Sequence, residues 1–325
     1  MFSANHQKFI QMDELSIKKV PFFFMIDFLV DNVEIFKEHE IKKNSLLIDF
    51  QSFSNTNIQE ALTKKAELKS YPESLESFKK GFDHVQKNIR LGNSYLTNYT
   101  RKTKIDTNLS LEEIFHHSKA KYKVLYKDFF VFFSPETFVK IISDTIFTYP
   151  MKGTIDASLE NAADVLKNDK KEKAEHYTVV DLLRNDLSMV ADDVKVDKFQ
   201  YIDFLKTHQK DLYAMSSEIS GSLKTEFKGK VGSIMQKLLP AGSILGAPKP
   251  KTLEIILEAE DFDRGFYTGV CGWFDGENLD SCVMIRFIEK EGDHLYFKSG
   301  GGITHMSKLE DEYQEMKNKI YVPIH

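Results

Sequence analysis

Along most of the chain, apolar residues come in consecutive runs or alternate with polar ones, and helical spacing of three and four is confined to a few segments. VPFFFMIDFLV and SLLIDF read as early strands, and the polar TKKAELKSYPES leads to a helix that starts near Pro72 and runs through LESFKKGFDHVQKNIR. Gly92 and Asn93 end that helix. SYLTNYT, YKVLYKDFFVFFS, TFVKIISDTIFTY, DVKVDKFQYIDFLK and DLYAMSSEISGSL are strand-like, separated by helices in LEEIFHHSKA and KKEKAEHYTVVDLLRNDLSMV. GFYTGVCGWFDGENLDSCVMIRFIEKEGDHLYFKSGGGIT reads as successive hairpins with turns at DGEN and EGD, and the helix SKLEDEYQEMKNKI follows. Long strand runs between single helices do not fit a βαβ repeat. The pattern therefore predicts an α+β protein of mainly antiparallel sheets covered by helices. Residues 1–70 are expected to form a short strand-containing segment packed on a core of residues 71–325.

Composition narrows the class. With 325 residues, 42% of them hydrophobic, the chain can bury a large core. A net charge of -5 supplies no basic surplus for a nucleic-acid backbone. Cys271 and Cys282 are too few for a disulfide framework, which points to a reducing cytoplasm. PFFFMIDFLV is about half the length that a membrane helix needs and contains an aspartate, so no membrane role is expected.

Several segments carry candidate chemistry. Glu172 and Glu175 are three apart on a predicted helix, with His176 one turn from Glu172; Glu312 and Glu315 repeat the spacing. Either pair alone is a solvated helix face. Facing each other, the pairs would form a hard-oxygen set suited to Mg²⁺. LLPAGSILGAPKPK places Gly242, Ser243, Gly246 and Lys249 before a helix, where backbone N–H groups favour an anion, although such text also serves as simple punctuation. Gly300, Gly301 and Gly302 permit close backbone approach to a ligand or form a bulge. Arg286, among apolar neighbours, needs a carboxylate partner if buried, as in a structural salt bridge, and Tyr267 by itself reads first as core packing with a satisfied hydroxyl. Lys152, in YPMKGT between a strand run and a glycine, is either a surface charge on a turn or a reagent.

SPETF, YPMKGT, KKEKAEHYTVVDLLRNDLSMV, LPAGSILGAPK, RGFYTGVCGWF, DSCVMIRF, SGGGIT and EDEYQEMKNK occur in the order found in the chorismate-utilising enzymes, and the chain resembles that family over about residues 72–320. Its members include anthranilate synthase component I, aminodeoxychorismate synthase component I, isochorismate synthase and salicylate synthase. The resemblance implies a four-layer α/β/β/α sandwich and a Mg²⁺ ion bridging Glu172, Glu175, Glu312 and Glu315 to a chorismate carboxylate. It assigns Arg286, Tyr267, Lys319 and the amides of Gly300, Gly301 and Gly302 to the substrate's carboxylates. Ser243 and Thr154 are placed near the reacting ring, and Glu136 matches the acid that protonates the departing hydroxyl.

Lys152 discriminates within the family. Anthranilate synthases usually carry alanine at this place, whereas many aminodeoxychorismate synthases carry lysine. In that subgroup the resemblance implies a nucleophile that attacks ring carbon 2 as the carbon 4 hydroxyl leaves; ammonia then adds at carbon 4 and expels the lysine. Two departures stand out. Leu96 occupies the place of the lysine that activates water in isochorismate and salicylate synthases, and Ala214 that of a histidine common among relatives, for which His176 or His208 could substitute. Only about seventy residues precede the matching core, so a complete tryptophan pocket is not expected. Nothing resembles a glutamine amidotransferase, and ammonia is expected from a separate glutaminase subunit or from free ammonium. The expected activity is that of an aminodeoxychorismate synthase component I, with anthranilate synthesis, or a noncatalytic chorismate-binding subunit, as the alternatives.

Overall fold

The structure, a computed structural model, describes residues 6–57, 64–205 and 211–324. It divides into two compact units, each threaded from separate parts of the chain. The first comprises Met1–Lys37, Glu136–Ser243 and Val270–Cys282; the second comprises Glu38–Pro135, Ile244–Gly269 and Val283–His325. The N-terminal segment expected to pack on the core thus divides between the units.

The first unit is built on a nine-stranded antiparallel sheet among the described residues. Its order is Met151–Asp156, Leu212–Leu223, Thr145–Thr148, Thr137–Ile142, Leu279–Val283, Val270–Phe274, Phe22–Ile26 and Val33–Lys37, with Ala191–Leu205 also paired to Leu212–Leu223. Phe22 to Ile26 are buried without a break, which is why their text is continuously apolar rather than alternating. The Lys170–Ser188 helix packs on the Met151–Asp156 end of this sheet, burying His176, Val179, Val180, Leu183 and Leu187 at helical spacing.

The second unit holds an eight-stranded sheet, again among the described residues. Its order is Gly246–Ala247, Leu96–Thr107, His294–Ile303, Phe287–Glu291, Phe130–Ser134, Tyr122–Tyr126 and Leu46–Phe50, with Leu68–Tyr71 also paired to Leu96–Thr107. The helices Leu75–Arg90, Lys249–Ala259 and Leu309–Asn318 share a core of Phe78, Phe82, Val85, Tyr99, Ile255, Ile303 and Met316 with this sheet. A fully buried pair, Arg264 and Glu260, braces it. Arg264 Nη2 lies 2.6 Å from Glu260 Oε1, which also accepts from the Thr100 amide at 2.8 Å. Deleting one partner of such a pair costs about 3–5 kcal/mol, because the other charge stays buried.

The α+β class and its antiparallel sheets are borne out, with three differences in detail. TFVKIISDTIFTY is a hairpin and not one strand, turning at Ser143 with φ +55°. CVMIRFIEK breaks at Met284–Arg286: Leu279–Val283 belongs to the first sheet and Phe287–Glu291 to the second. The helix His6–Ile17, which buries Phe9, Met12 and Leu15, was masked by its polar composition. Cys271 and Cys282 are buried and form no disulfide, with their Sγ atoms 3.5 Å apart. Among the described residues no helix is long and apolar enough to cross a membrane.

Candidate active site

In the first unit, Lys152 is the second residue of the Met151–Asp156 strand, half-buried, opposite Met215. Its register slips at Gly153, whose φ of +74° is the left-handed region that glycine enters without strain. A Cβ there would also stand 2.7 Å from Glu172 Oε2, so glycine leaves this carboxylate where it lies. Glycine therefore lets the first glutamate approach the strand that carries the lysine. Asp169 caps the helix by accepting from the Glu172 amide at 2.9 Å, which fixes Glu172 in the first turn, where the helix dipole favours a carboxylate. Glu175 follows one turn on, half-buried.

His176 is fully buried, its Nε2 2.7 Å from Ser217 Oγ, while its Nδ1 is buried without a hydrogen-bond partner among the described residues. Burial and, next, the Lys152 charge hold its pKa down at about 4, so the ring is neutral near pH 7. Ser217 donates its amide to Pro150 O at 2.9 Å, two residues before the lysine. The glutamate-bearing helix and the lysine-bearing strand are thus tied through one serine. Ala214, which the resemblance aligns with a histidine, is fully buried and pairs with Thr154. The side chain of Thr154 and the whole of His208 lie outside the described residues. Glu136, which the resemblance assigns as an acid, and Ser243, which it places near the ring, meet directly: Ser243 Oγ donates to Glu136 Oε1 at 2.7 Å.

In the second unit, Arg286 lies where the chain leaves one sheet for the other, at φ +56°, an uncommon conformation for a non-glycine residue and one that marks a constrained site. Its guanidinium stands 4.8 Å from the Tyr321 ring centroid, and its Nη1 is buried with no hydrogen-bond partner among the described residues. The sequence-derived need for a partner is therefore unmet at that nitrogen. Tyr267 is 4% exposed, and burial, opposed by the nearby Arg264 and Arg286 charges, raises its hydroxyl pKa well above the usual range. It remains a donor at any physiological pH.

The strand Phe287–Glu291 pairs with His294–Ile303 only as far as Lys298, whereas Leu96–Thr107 follows that strand to Ile303. Beyond Lys298 the glycine run therefore keeps its ladder on one side. A Cβ on Gly301 would stand 3.3 Å from both Glu312 Oε2 and Glu315 Oε1, so the second glutamate pair lies over a bare backbone as Glu172 lies over Gly153. Lys319 Nζ donates at 2.7 Å to both Glu315 Oε1 and Gly300 O. Glu312 is buried.

The predicted residues thus divide between the units: Glu136, Lys152, Glu172, Glu175 and Ser243 in the first, and Tyr267, Arg286, Gly300, Gly301, Gly302, Glu312, Glu315 and Lys319 in the second. Within either unit no three His, Cys, Asp or Glu side chains among the described residues gather at metal-holding spacing. Each unit offers one carboxylate pair of hard oxygen donors beside a glycine. That chemistry fits Mg²⁺, which takes few protein ligands and keeps waters or substrate oxygens for the rest. Arg264, Glu260, Ser217 and Asn98 escaped the sequence reading, because their importance lies in contacts between distant segments.

Comparison with known proteins identifies the family. An uncharacterized PabA-like protein of Pasteurella multocida is 47% identical over 315 residues, covering 97% of each chain. One of Haemophilus influenzae is 46% identical over 325 residues, covering 100% of this chain and 99% of the relative. The solved menaquinone-specific isochorismate synthase of Escherichia coli superposes with a TM-score of 0.73 at 17% identity, over 96% of this chain and 79% of its own, and so shares the fold. Residues 13–325 match the family described as chorismate binding enzyme, and the chain belongs to that family.

Proposed function

We propose that the chain is an aminodeoxychorismate synthase component I, converting chorismate and ammonia to 4-amino-4-deoxychorismate, an early step toward p-aminobenzoate and folate. The observation that carries the reading is Lys152: half-buried in a strand, one residue from the glycine over which Glu172 lies, and close enough to His176 to depress its pKa. A lysine on an exposed turn would have no such neighbours.

In the proposed reaction the Lys152 amine, having first given a proton to solvent, bonds to ring carbon 2. The ring double bonds shift, and the carbon 4 C–O bond breaks as Glu136 delivers a proton, releasing water. Ammonia then bonds to carbon 4, the double bonds shift back, and the amine of Lys152 departs from carbon 2; the proton lost by the new amine returns the site to its starting state. Ser243, by donating to Oε1, sets the orientation of the Glu136 carboxyl. Arg286, Tyr267, Lys319 and the amides of Gly300 to Gly302 are the proposed carboxylate receivers, and Thr154 is a proposed neighbour of the ring. Glu172, Glu175, Glu312 and Glu315 are the proposed donors to Mg²⁺. Bound there, the ion would neutralise substrate carboxylate charge. A separate glutaminase subunit is the proposed source of ammonia and the cytoplasm the proposed setting, in keeping with two cysteines that form no disulfide.

Chorismate, MgCl₂ and ammonium chloride with the purified chain should give a product with the mass of aminodeoxychorismate; fluorescent anthranilate in its place would contradict the reading. Gly301→Ala probes the metal donors, since its methyl would push against the carboxylates of Glu312 and Glu315 and shift their oxygens by a few tenths of an ångström. The Mg²⁺ concentration for half-maximal turnover is expected to rise about tenfold, as for changes that disturb the orientation of metal ligands. An unaltered Mg²⁺ titration would remove this pair from the metal.

A further inference from the structure

In the second unit, the hydrogen-bonding capacity of Asn98 is only partly used. The residue lies on the Leu96–Thr107 strand directly opposite Gly302. Its backbone carbonyl is clamped by the buried Arg264, whose Nη2 donates at 2.7 Å. Its side-chain Oδ1, by contrast, is buried with no hydrogen-bond partner among the described residues. A buried acceptor is costly unless something donates to it, and the ion pair behind the strand prevents Asn98 from moving away.

We propose that Asn98 Oδ1 accepts a hydrogen bond from the ammonia that attacks the ring, which rests on the amination proposed above. The chemistry of the same unit selects that reactant. Arg286, whose Nη1 lacks an acceptor, and the open side of the glycine strand offer donors, which match the carboxylates of chorismate. An amide oxygen repels a carboxylate. Ammonia has three N–H donors and one lone pair, so giving one N–H to Oδ1 holds the molecule while leaving the lone pair to form the new bond. Leu96, two residues earlier and so on the same face of the strand, supplies no base. Ammonia needs none before it attacks, whereas water does.

The test is steady-state kinetics with ammonium chloride as the nitrogen source, chorismate and ammonium being varied in turn. Asn98→Leu keeps the volume and removes the acceptor. Its KM for ammonium is expected to rise about tenfold while its KM for chorismate stays within about twofold of wild type. An unchanged ammonium KM, or a rise confined to the chorismate KM, overturns the assignment. If Asn98→Leu does not fold, Asn98→Ser, which draws the acceptor back toward the strand, carries the same expectation. A wild-type chain that makes no aminodeoxychorismate contradicts the proposed reaction itself; wild-type amination with an unaltered ammonium KM in the variant sinks only the role of Asn98.

Discussion

Lys152→Ala is expected to lower turnover of chorismate with ammonium by about a hundredfold or more, equivalent to roughly 2.7 kcal/mol of transition-state stabilisation, while the chorismate KM changes little. The reason is chemical. Direct displacement of hydroxide from carbon 4 is one difficult step, and a positioned amine divides it into two allylic ones. Lys152 is not among the proposed carboxylate receivers, so ground-state binding should survive its loss. The strand also tolerates the change, because Lys152 is half-buried and alanine fits the same backbone. Intact-mass spectrometry adds a second reading: wild type incubated with chorismate and no ammonia should gain the mass of chorismate less one water, and Lys152→Ala should gain none. Full turnover by the alanine variant would remove the nucleophile from the mechanism.

The second large effect belongs to Glu136. Glutamine there can still accept the Ser243 hydroxyl, which lies 2.7 Å from Oε1, so the local bond and the packing are preserved. What is lost is a transferable proton. Positioned acid catalysis contributes about 10²–10⁴-fold, and Glu136→Gln is expected to lose turnover within that range with a chorismate KM close to wild type. Ser243→Ala should cost much less, since it removes the orientation of the acid and leaves the acid itself. A glutamine variant as active as wild type, or one less impaired than Ser243→Ala, would take the general acid away from Glu136.

Local pattern made the elements legible and left their company hidden. The hairpin turns at DGEN and EGD, the Leu75–Arg90 helix and the two glutamate-bearing helices follow from spacing and turn chemistry, which are properties of neighbouring residues. The break at Arg286 does not, because strand text on both sides is apolar and nothing local says that the two strands belong to different sheets. Lys152 by itself remained a charge beside a glycine; its significance needed Glu172 over Gly153 and His176 held by Ser217. The bond from Ser243 to Glu136 spans 107 residues, and that from Arg264 to the Asn98 carbonyl spans 166. Periodicity carries no information over such distances. The resemblance named many of the same residues, but it could not supply the orphaned nitrogen of Arg286 or the orphaned oxygen of Asn98.

The central claim is that nitrogen is delivered to ring carbon 4. The most direct measurement is NMR of the product formed from chorismate, Mg²⁺ and ¹⁵N-labelled ammonium. The label is predicted on carbon 4, coupled to the proton of that carbon, with the enolpyruvyl ether intact; label on carbon 2, or recovery of labelled anthranilate with pyruvate, would contradict it.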